Sequence, residues 1–582
     1  MPALPFLRSE IRQTTHRDGD DLLSAGLGLA GLRGNLVEAA DPAAPTAAEL
    51  RRRAIQQNWR GIVDLSPTGG FGQTYGAVPD VPGRELQAFA ALSGARQPHR
   101  LLAQIPDHFD PQRRCLVVSP VSGSRGVYGA IGVGGAWGLP KGCAVVYTDK
   151  GAGTGFFDLA SQEGVALDGR RARRGETALE FDPGPGPQGF ESSWPGVAFK
   201  HAHSGDNPEA GWGLHTLQAL QFGLHALDLA FPEQAPFTPD NTVIIGLGIS
   251  NGGGALLRAA EADQEGWFDA VIAGEPNIVA PGSAPLIEYT MQAALYQPCA
   301  WLALPNGPAL AAPEQLRAAA LQRCASLHAA GLLSASKPDD QAAEALSRLQ
   351  AGGWEPAALS QMGVLMAIDV WRTVLATYLQ AYAQADVYTP QCGYRFAVLG
   401  PERQPLAASV AARAAWWTDA SGVPPSAGVA LLDGLANGAD PALPGLLCAR
   451  EQIQRPEVRA AIEATRGTAR PQSSRVAIVH GQADGLIPMA FSSRPYARAA
   501  NAQGHVVRLY EMAHVQHFDA FLGLPPVTPG HLPLLPYLFQ AADFAWQSIL
   551  DGSDLPPDQV IANRPRGAAV MLEPEHLGSI SY

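Results

Sequence analysis

Cysteine, charge and long apolar runs are all scarce in this chain. Six cysteines occur in 582 residues, and none shows the C-x-x-C spacing of a zinc site, which argues against a bound metal. Only 16% of residues are charged, with Lys+Arg 41 against Asp+Glu 54. No basic run is available to neutralise phosphates, so nucleic acid is a poor partner for a chain of net charge -13. No apolar stretch reaches the roughly 18 residues that a membrane span requires. The first ten residues, Met1-Pro-Ala-Leu-Pro-Phe-Leu-Arg-Ser-Glu10, lack a basic segment followed by an apolar core, so no secretory signal is recognisable. Internal repeats and low-complexity tracts are missing too, and Gly 63 and Pro 49 are spread along the chain as ordered loops would have them.

What is present is an alternation of strand and helix. Leu101–Ile105, Cys115–Ser119 and Cys143–Thr148 read as strands, the last followed by the glycine-rich loop Asp149–Gly155. Pro45–Trp59 and Gly213–Leu229 carry helical periodicity, and Asn241–Gly248 and Ala270–Gly274 are again strand-like. Such alternation predicts a parallel sheet with helices on both faces. Roughly residues 280 to 465 break it with Ala-, Leu- and Gln-rich helical patterns such as Met366–Tyr382; strands resume at Arg475–Val479 and His505–Tyr510. The organisation read from this is an α/β-hydrolase-type, mostly parallel sheet built from residues 1–280 and 466–582, with a large helical cap, 281–465, inserted between them.

Ser250 lies in Gly248-Ile-Ser-Asn-Gly252, the only G-x-S-x-G of the chain, between an apolar β-branched strand and a helix-forming run. A serine on such a strand-to-helix turn is held with its hydroxyl above the sheet. The strand ending at Val479 leads to a turn carrying Asp484, and the strand ending at Tyr510 leads to His514 and His517. Ser, Asp, His is the chain order of α/β-hydrolases. A neutral imidazole takes the serine proton, and the carboxylate fixes its tautomer and stabilises the imidazolium. Spacing does not choose between the two histidines. An oxyanion hole needs two backbone N–H groups. Asn251, next to the nucleophile, supplies one; the glycine-rich loop Val118–Gly126 supplies the other from Ser124 or Gly123.

Several long segments together resemble one family, the D-(-)-3-hydroxybutyrate oligomer hydrolases, over nearly the whole chain. They include Asp20–Gly28, Ser122–Ala130, Val146–Gly155, Ala198–His203, Ser250–Ala255, Gly274–Asn277, Tyr296–Cys299, Met366–Val370, Arg372–Gln380 and Gln516–Phe521. The resemblance implies a serine esterase that hydrolyses (R)-3-hydroxybutyrate dimers and oligomers to monomer, downstream of a polyhydroxybutyrate depolymerase and without a cofactor. It implies Ser250 as nucleophile, favours His517 over His514 through Gln516-His-Phe-Asp-Ala-Phe521, and implies export, with a cytoplasmic location as the alternative.

A cap over the serine suits an apolar pocket for a methyl-branched repeat unit. Oligomers end in a carboxylate, for which Arg125, Lys200 and Lys150 are the candidate cations, Arg125 and Lys200 foremost. His201 and His203 could pair on a metal, but no acids cluster with them in the sequence. Trp371, Trp416 and Trp417 are expected to pack the cap. Two disulfides among Cys299, Cys324, Cys392 and Cys448 are compatible with their positions in the insertion, with buried free thiols as the alternative; Cys115 and Cys143 lie in or beside strands. Rival readings are a tannase- or feruloyl-esterase-like enzyme with the same triad, and a polyester-granule binding protein that has lost the chemistry.

Overall fold

The computed structural model describes residues 4–151, 153–188, 195–304, 314–418, 428–524, 527–567 and 571–582; Ala152 of the glycine-rich loop lies outside them. Ten strands form the main sheet: β1 (Arg12–His16), β2 (Gly83–Ala90), β3 (His99–Pro106), β4 (Cys115–Pro120), β5 (Ala144–Thr148), β6 (Val243–Ile249), β7 (Ala270–Gly274), β8 (Val476–Gly481), β9 (Val507–Met512) and β10 (Gln559–Ile561). Their spatial order is β1-β2-β3-β5-β4-β6-β7-β8-β9-β10. β1, β2 and β3 pair antiparallel, and every pairing from β5 to β10 is parallel. This is an α/β-hydrolase-type sheet.

Its central strands are apolar throughout because both faces are covered. Leu116 and Val118 of β4 face a core shared with Ile244, Val271 and Ile478, whereas Val117 faces the opposite core with Leu247, Ile272 and Val479. That is the period of two expected of a pleated strand. Helix α1 (Ala47–Ile62), started by a reciprocal Thr46–Glu49 capping box, packs on the second face through Ile55 and Trp59. Helices α2 (Pro208–Ala230) and α3 (Asn251–Ala262) pack on the first. The chain therefore leaves β4 toward one face and β6 toward the other. A crevice opens between the carboxyl ends of those two strands, where such sheets place their ligands.

The cap follows β7 and contains α4 (Leu286–Ala300), α5 (Glu314–Ala329), α6 (Pro338–Ala351), α7 (Val370–Tyr382), α8 (Leu443–Gln452) and α9 (Pro456–Glu463). It is not purely helical: Tyr394–Leu399, Pro405–Leu406 and Val429–Asp433 form a small antiparallel sheet within it. The expected helix Met366–Tyr382 is interrupted at Asp369, whose φ of 50° ends one helix before α7 begins. A second insertion between β5 and α2 adds four short strands, of which Val197–Phe199 lends Val197 and Phe199 to the cap core. Trp371 and Trp416 belong to that core, but Trp417 belongs to the sheet core, edge-on to Tyr128. Beyond the cap, α10 (Ser493–Ala502) and α11 (Leu535–Asp551) complete the two helical layers.

All six cysteines are bridged: Cys115–Cys143, Cys299–Cys324 and Cys392–Cys448. The last two lie in the insertion. The first joins the start of β4 to the residue before β5, a pairing made possible by the adjacency of those strands. No helix among the described residues is long and apolar enough to cross a membrane.

Candidate active site

Ser250 follows β6 with φ 58° and ψ −128°, a backbone state that costs a non-glycine residue on the order of 1–3 kcal/mol. Its neighbours impose it. The Ser250 N–H donates to the Gly274 carbonyl at 2.8 Å, and the Ser250 carbonyl accepts from Asn277 and Gly254 N–H at 2.9 and 3.1 Å. A Cβ on Gly252 would lie 2.2 Å from the Pro120 carbonyl oxygen, so α3 can begin this close to β4 only with glycine there. The hydroxyl is thereby presented at the crevice.

His517, on the loop after β9, places Nε2 2.9 Å from Ser250 Oγ and Nδ1 2.7 Å from Asp484 Oδ2. A carboxylate only accepts, so Nδ1 carries the hydrogen and Nε2 is free to accept from the serine hydroxyl. Asp484 sits in the turn after β8, and its other oxygen accepts from Leu486 and Ile487 N–H, each at 2.8 Å. Burial alone would raise its pKa, but His517 and His480 outweigh burial and hold it at about 2. His514 is placed elsewhere: its backbone carbonyl accepts from Leu532, and its side chain bonds neither Ser250 nor Asp484.

His480 was not singled out in the sequence, although it stands four residues before Asp484. Its Nε2 lies 3.0 Å from the Ile487 carbonyl and 3.2 Å from Asp484 Oδ2. Both partners are acceptors, so Nε2 holds a hydrogen, and Nδ1 accepts from the Ser493 hydroxyl. Glu275, His480 and Asp484 are the one group of three potential metal ligands close enough to share an ion among the described residues. With Nε2 hydrogen-bonded to a carbonyl and Asp484 engaged by His517, that group is arranged for hydrogen bonding. His201 and His203 do not converge either: His201 Nε2 bonds Glu209, and His203 Nδ1 accepts from Phe199 N–H.

Ser250 opens into a small cleft of about 50 Å³ that Gly123, Ser124 and Asn251 also line. Leu286, Val370, Val374 and Tyr378 from the cap, with Leu486 and Phe518, make its walls predominantly apolar. Asn251 is the first residue of α3, so its N–H has no acceptor inside the helix and is available to a ligand. Arg125 does not line this cleft; its guanidinium donates to the Gly61 carbonyl at the end of α1. Lys200 does not line it either, lying 3.5 Å from Asp149 and 3.8 Å from Glu180. Both expectations are corrected: the partners these cations meet, the Gly61 carbonyl and the Asp149 and Glu180 carboxylates, are not among the residues that line the cleft.

Lys150 reaches the site indirectly. Its Nζ donates to Asn251 Oδ1 at 2.6 Å and pairs with Glu209, which also bonds His201. Burial lowers the Lys150 pKa against the pull of Glu209; burial would raise Glu209, but Lys150 and His201 hold it at about 2. The Tyr378 hydroxyl also donates to Asn251 Oδ1, at 3.1 Å. These bonds anchor the residue whose backbone N–H is left without a helical acceptor at the start of α3. Asn251→Ala keeps that N–H but releases its anchor. It is expected to lower kcat by about tenfold with little change in KM, less than the roughly 10²–10³ that deleting an oxyanion donor costs; steady-state kinetics check this.

A model of the 3HB-oligomer hydrolase family matches residues 2–580. A protein of Paracidovorax citrulli called D-(-)-3-hydroxybutyrate oligomer hydrolase is 37% identical over 97% of this chain and 90% of its own length. One of the same name from Cupriavidus metallidurans is 39% identical over 94% of this chain and 85% of its own. Among solved structures, feruloyl esterase B from Aspergillus oryzae covers 82% of each chain at 12% identity and a TM-score of 0.36, a likeness too slight to carry any argument.

Proposed function

The chain belongs to the 3HB-oligomer hydrolase family, and from that premise we propose that it is a serine ester hydrolase cleaving (R)-3-hydroxybutyrate dimers and oligomers to monomer. The observation that carries the mechanism is the unbroken line Ser250 Oγ, His517 Nε2, His517 Nδ1, Asp484 Oδ2, with steps of 2.9 and 2.7 Å, beneath an apolar cleft. His517 takes the hydroxyl proton as Ser250 attacks the ester carbonyl, and the N–H groups of Asn251 and of Ser124 or Gly123 receive the developing oxyanion. The imidazolium then protonates the alkoxide oxygen as the C–O bond breaks, so that the first product leaves with a free hydroxyl. Water, activated by the same histidine, releases the acyl group as a second monomer when the substrate is a dimer.

The walls suit the acyl unit, since a methyl-branched four-carbon chain offers apolar surface and no charge until its ester is cut. Export is part of the same proposal. Three disulfides persist in an oxidising compartment and are rare in the cytosol of mesophiles.

The test is release of monomer from 3-hydroxybutyrate dimer and trimer, set beside gallate and p-coumarate esters. Faster turnover of the hydroxybutyrate esters supports the assignment. Preference for the aromatic esters would keep the triad and discard the substrate.

A further inference from the structure

Glu275 is a buried acid that the triad does not account for. It follows β7 with φ 42°, a left-handed state for a non-glycine residue, held by its N–H donating to the Val479 carbonyl at 2.8 Å. Its Oε1 accepts from Gly481 N–H at 3.1 Å. The approach is close: a Cβ on Gly481 would stand 2.9 Å from that oxygen and 2.2 Å from the Val515 carbonyl. The other oxygen, Oε2, has no hydrogen-bond partner and lies 3.4 Å from His517 Nδ1.

His517 Nδ1 thus faces two carboxyl groups, Asp484 at 2.7 Å and Glu275 at 3.4 Å. Their hydrogen bonding differs. Asp484 accepts from Leu486 N–H, Ile487 N–H, His480 and His517; Glu275 accepts from Gly481 alone. Two acids this close do not both ionise in a dry site, and the one with more donors keeps the charge. The titratable groups around Glu275 are Asp484 and His480 from β8 and its turn, and His517 and Asp519 from the loop after β9. Burial, then the charges of Asp484 and Asp519, push the Glu275 carboxyl well above its ordinary range.

Resting on the triad proposed above, we infer that Glu275 is the reserve acid of this site: a positioning residue that stands beside Asp484 and takes over the orientation of His517 Nδ1–H when the Asp484 carboxylate is removed. Without Asp484 the repulsion that adds to burial in raising the Glu275 carboxyl is relieved, while His517 remains beside it to favour the charged form. The carboxyl gives its proton to solvent, and the 3.4 Å gap needs to close by only about half an ångström to reach ordinary hydrogen-bond length.

The experiment is a double-mutant cycle of Asp484→Ala and Glu275→Gln, read as kcat and as pH–rate profile on an activated ester. An activated ester is used so that failure of the polyester assignment leaves this test intact. Asp484→Ala is expected to lose about 10² in kcat, short of the roughly 10⁴ that removing the triad acid costs elsewhere. Glu275→Gln alone is expected to lose less than tenfold, and the double variant the full 10⁴ or so. In Asp484→Ala the acid limb stays within about one pH unit of the parent, because an anion still faces the imidazole. In the double variant it moves down by more than a unit, because none does. Asp484→Ser, whose hydroxyl can still accept from Leu486 and Ile487, replaces the alanine variant should that not fold. The inference is overturned if Asp484→Ala alone loses the full amount and moves the limb while Glu275→Gln adds nothing. It is also overturned if Glu275→Gln alone, folded and with the parent's melting temperature, is as inactive as the double variant.

Discussion

Ser250→Ala is expected to lower kcat for hydroxybutyrate dimer by about 10⁶, the loss seen when the nucleophile of a serine triad is deleted. Substrate binding should survive, because the cleft walls come from Leu286, Val370, Val374, Tyr378, Leu486 and Phe518, none of which contacts the serine hydroxyl through a hydrogen bond. Stability should survive as well. Ser250 holds a left-handed φ of 58°, and alanine meets the same steric limits there as serine. The Ser250 N–H and carbonyl, which do the structural bonding to Gly274, Asn277 and Gly254, are unchanged by the substitution. Monomer release measured by liquid chromatography, with melting temperature and dimer affinity beside it, separates these effects. A variant that retains more than about one part in 10³ of the parent rate would remove Ser250 from the role of nucleophile.

The parts of the fold that are legible in the sequence are the strands with both faces buried, one in each of the two cores. β4, β5, β6 and β7 are continuous apolar runs, and no competing helical pattern obscures them. β2 was missed because Gly83-Arg-Glu-Leu-Gln-Ala-Phe-Ala90 carries Glu and Gln at buried positions and little β-branching. Glu85 is acceptable there only because Arg51 of α1, Gln104 of β3 and Tyr128 bond it, contacts made across the sheet and unreadable from a local window. The same distinction divides the site. Ser250 announces itself through a local turn that needs glycine on either side, and Asp484 and His517 through the strands that precede them. Glu275 and His480 act through side chains that meet only when β7, β8 and the loop after β9 lie side by side. Arg125 and Lys200 were misread for the converse reason. Their proximity to the serine loops in sequence is real, but their partners, Gly61 and Asp149 with Glu180, are set by tertiary packing.

His517→Ala is expected to lower kcat by a similar factor, about 10⁴–10⁶, whereas His514→Ala leaves it within about twofold. The two histidines are three residues apart and equally plausible from spacing, so the contrast isolates geometry. Only His517 spans from Ser250 Oγ to Asp484 Oδ2. The parent's rate should fall in acid, since a protonated ring cannot accept the serine proton. Asp484, held at about 2, stays ionised at mildly acid pH and contributes no second limb there. The sign for stability is the usual one for a depressed carboxylate: its contribution is present above the unfolded value of 3.8 and is lost as pH falls toward 2. Asp484 therefore gives no cause for unfolding at mildly acid pH, and rate lost there should return at neutral pH. A rate profile flat from pH 5 to 8, or an inactive His514→Ala with the parent's melting temperature, would take the base away from His517.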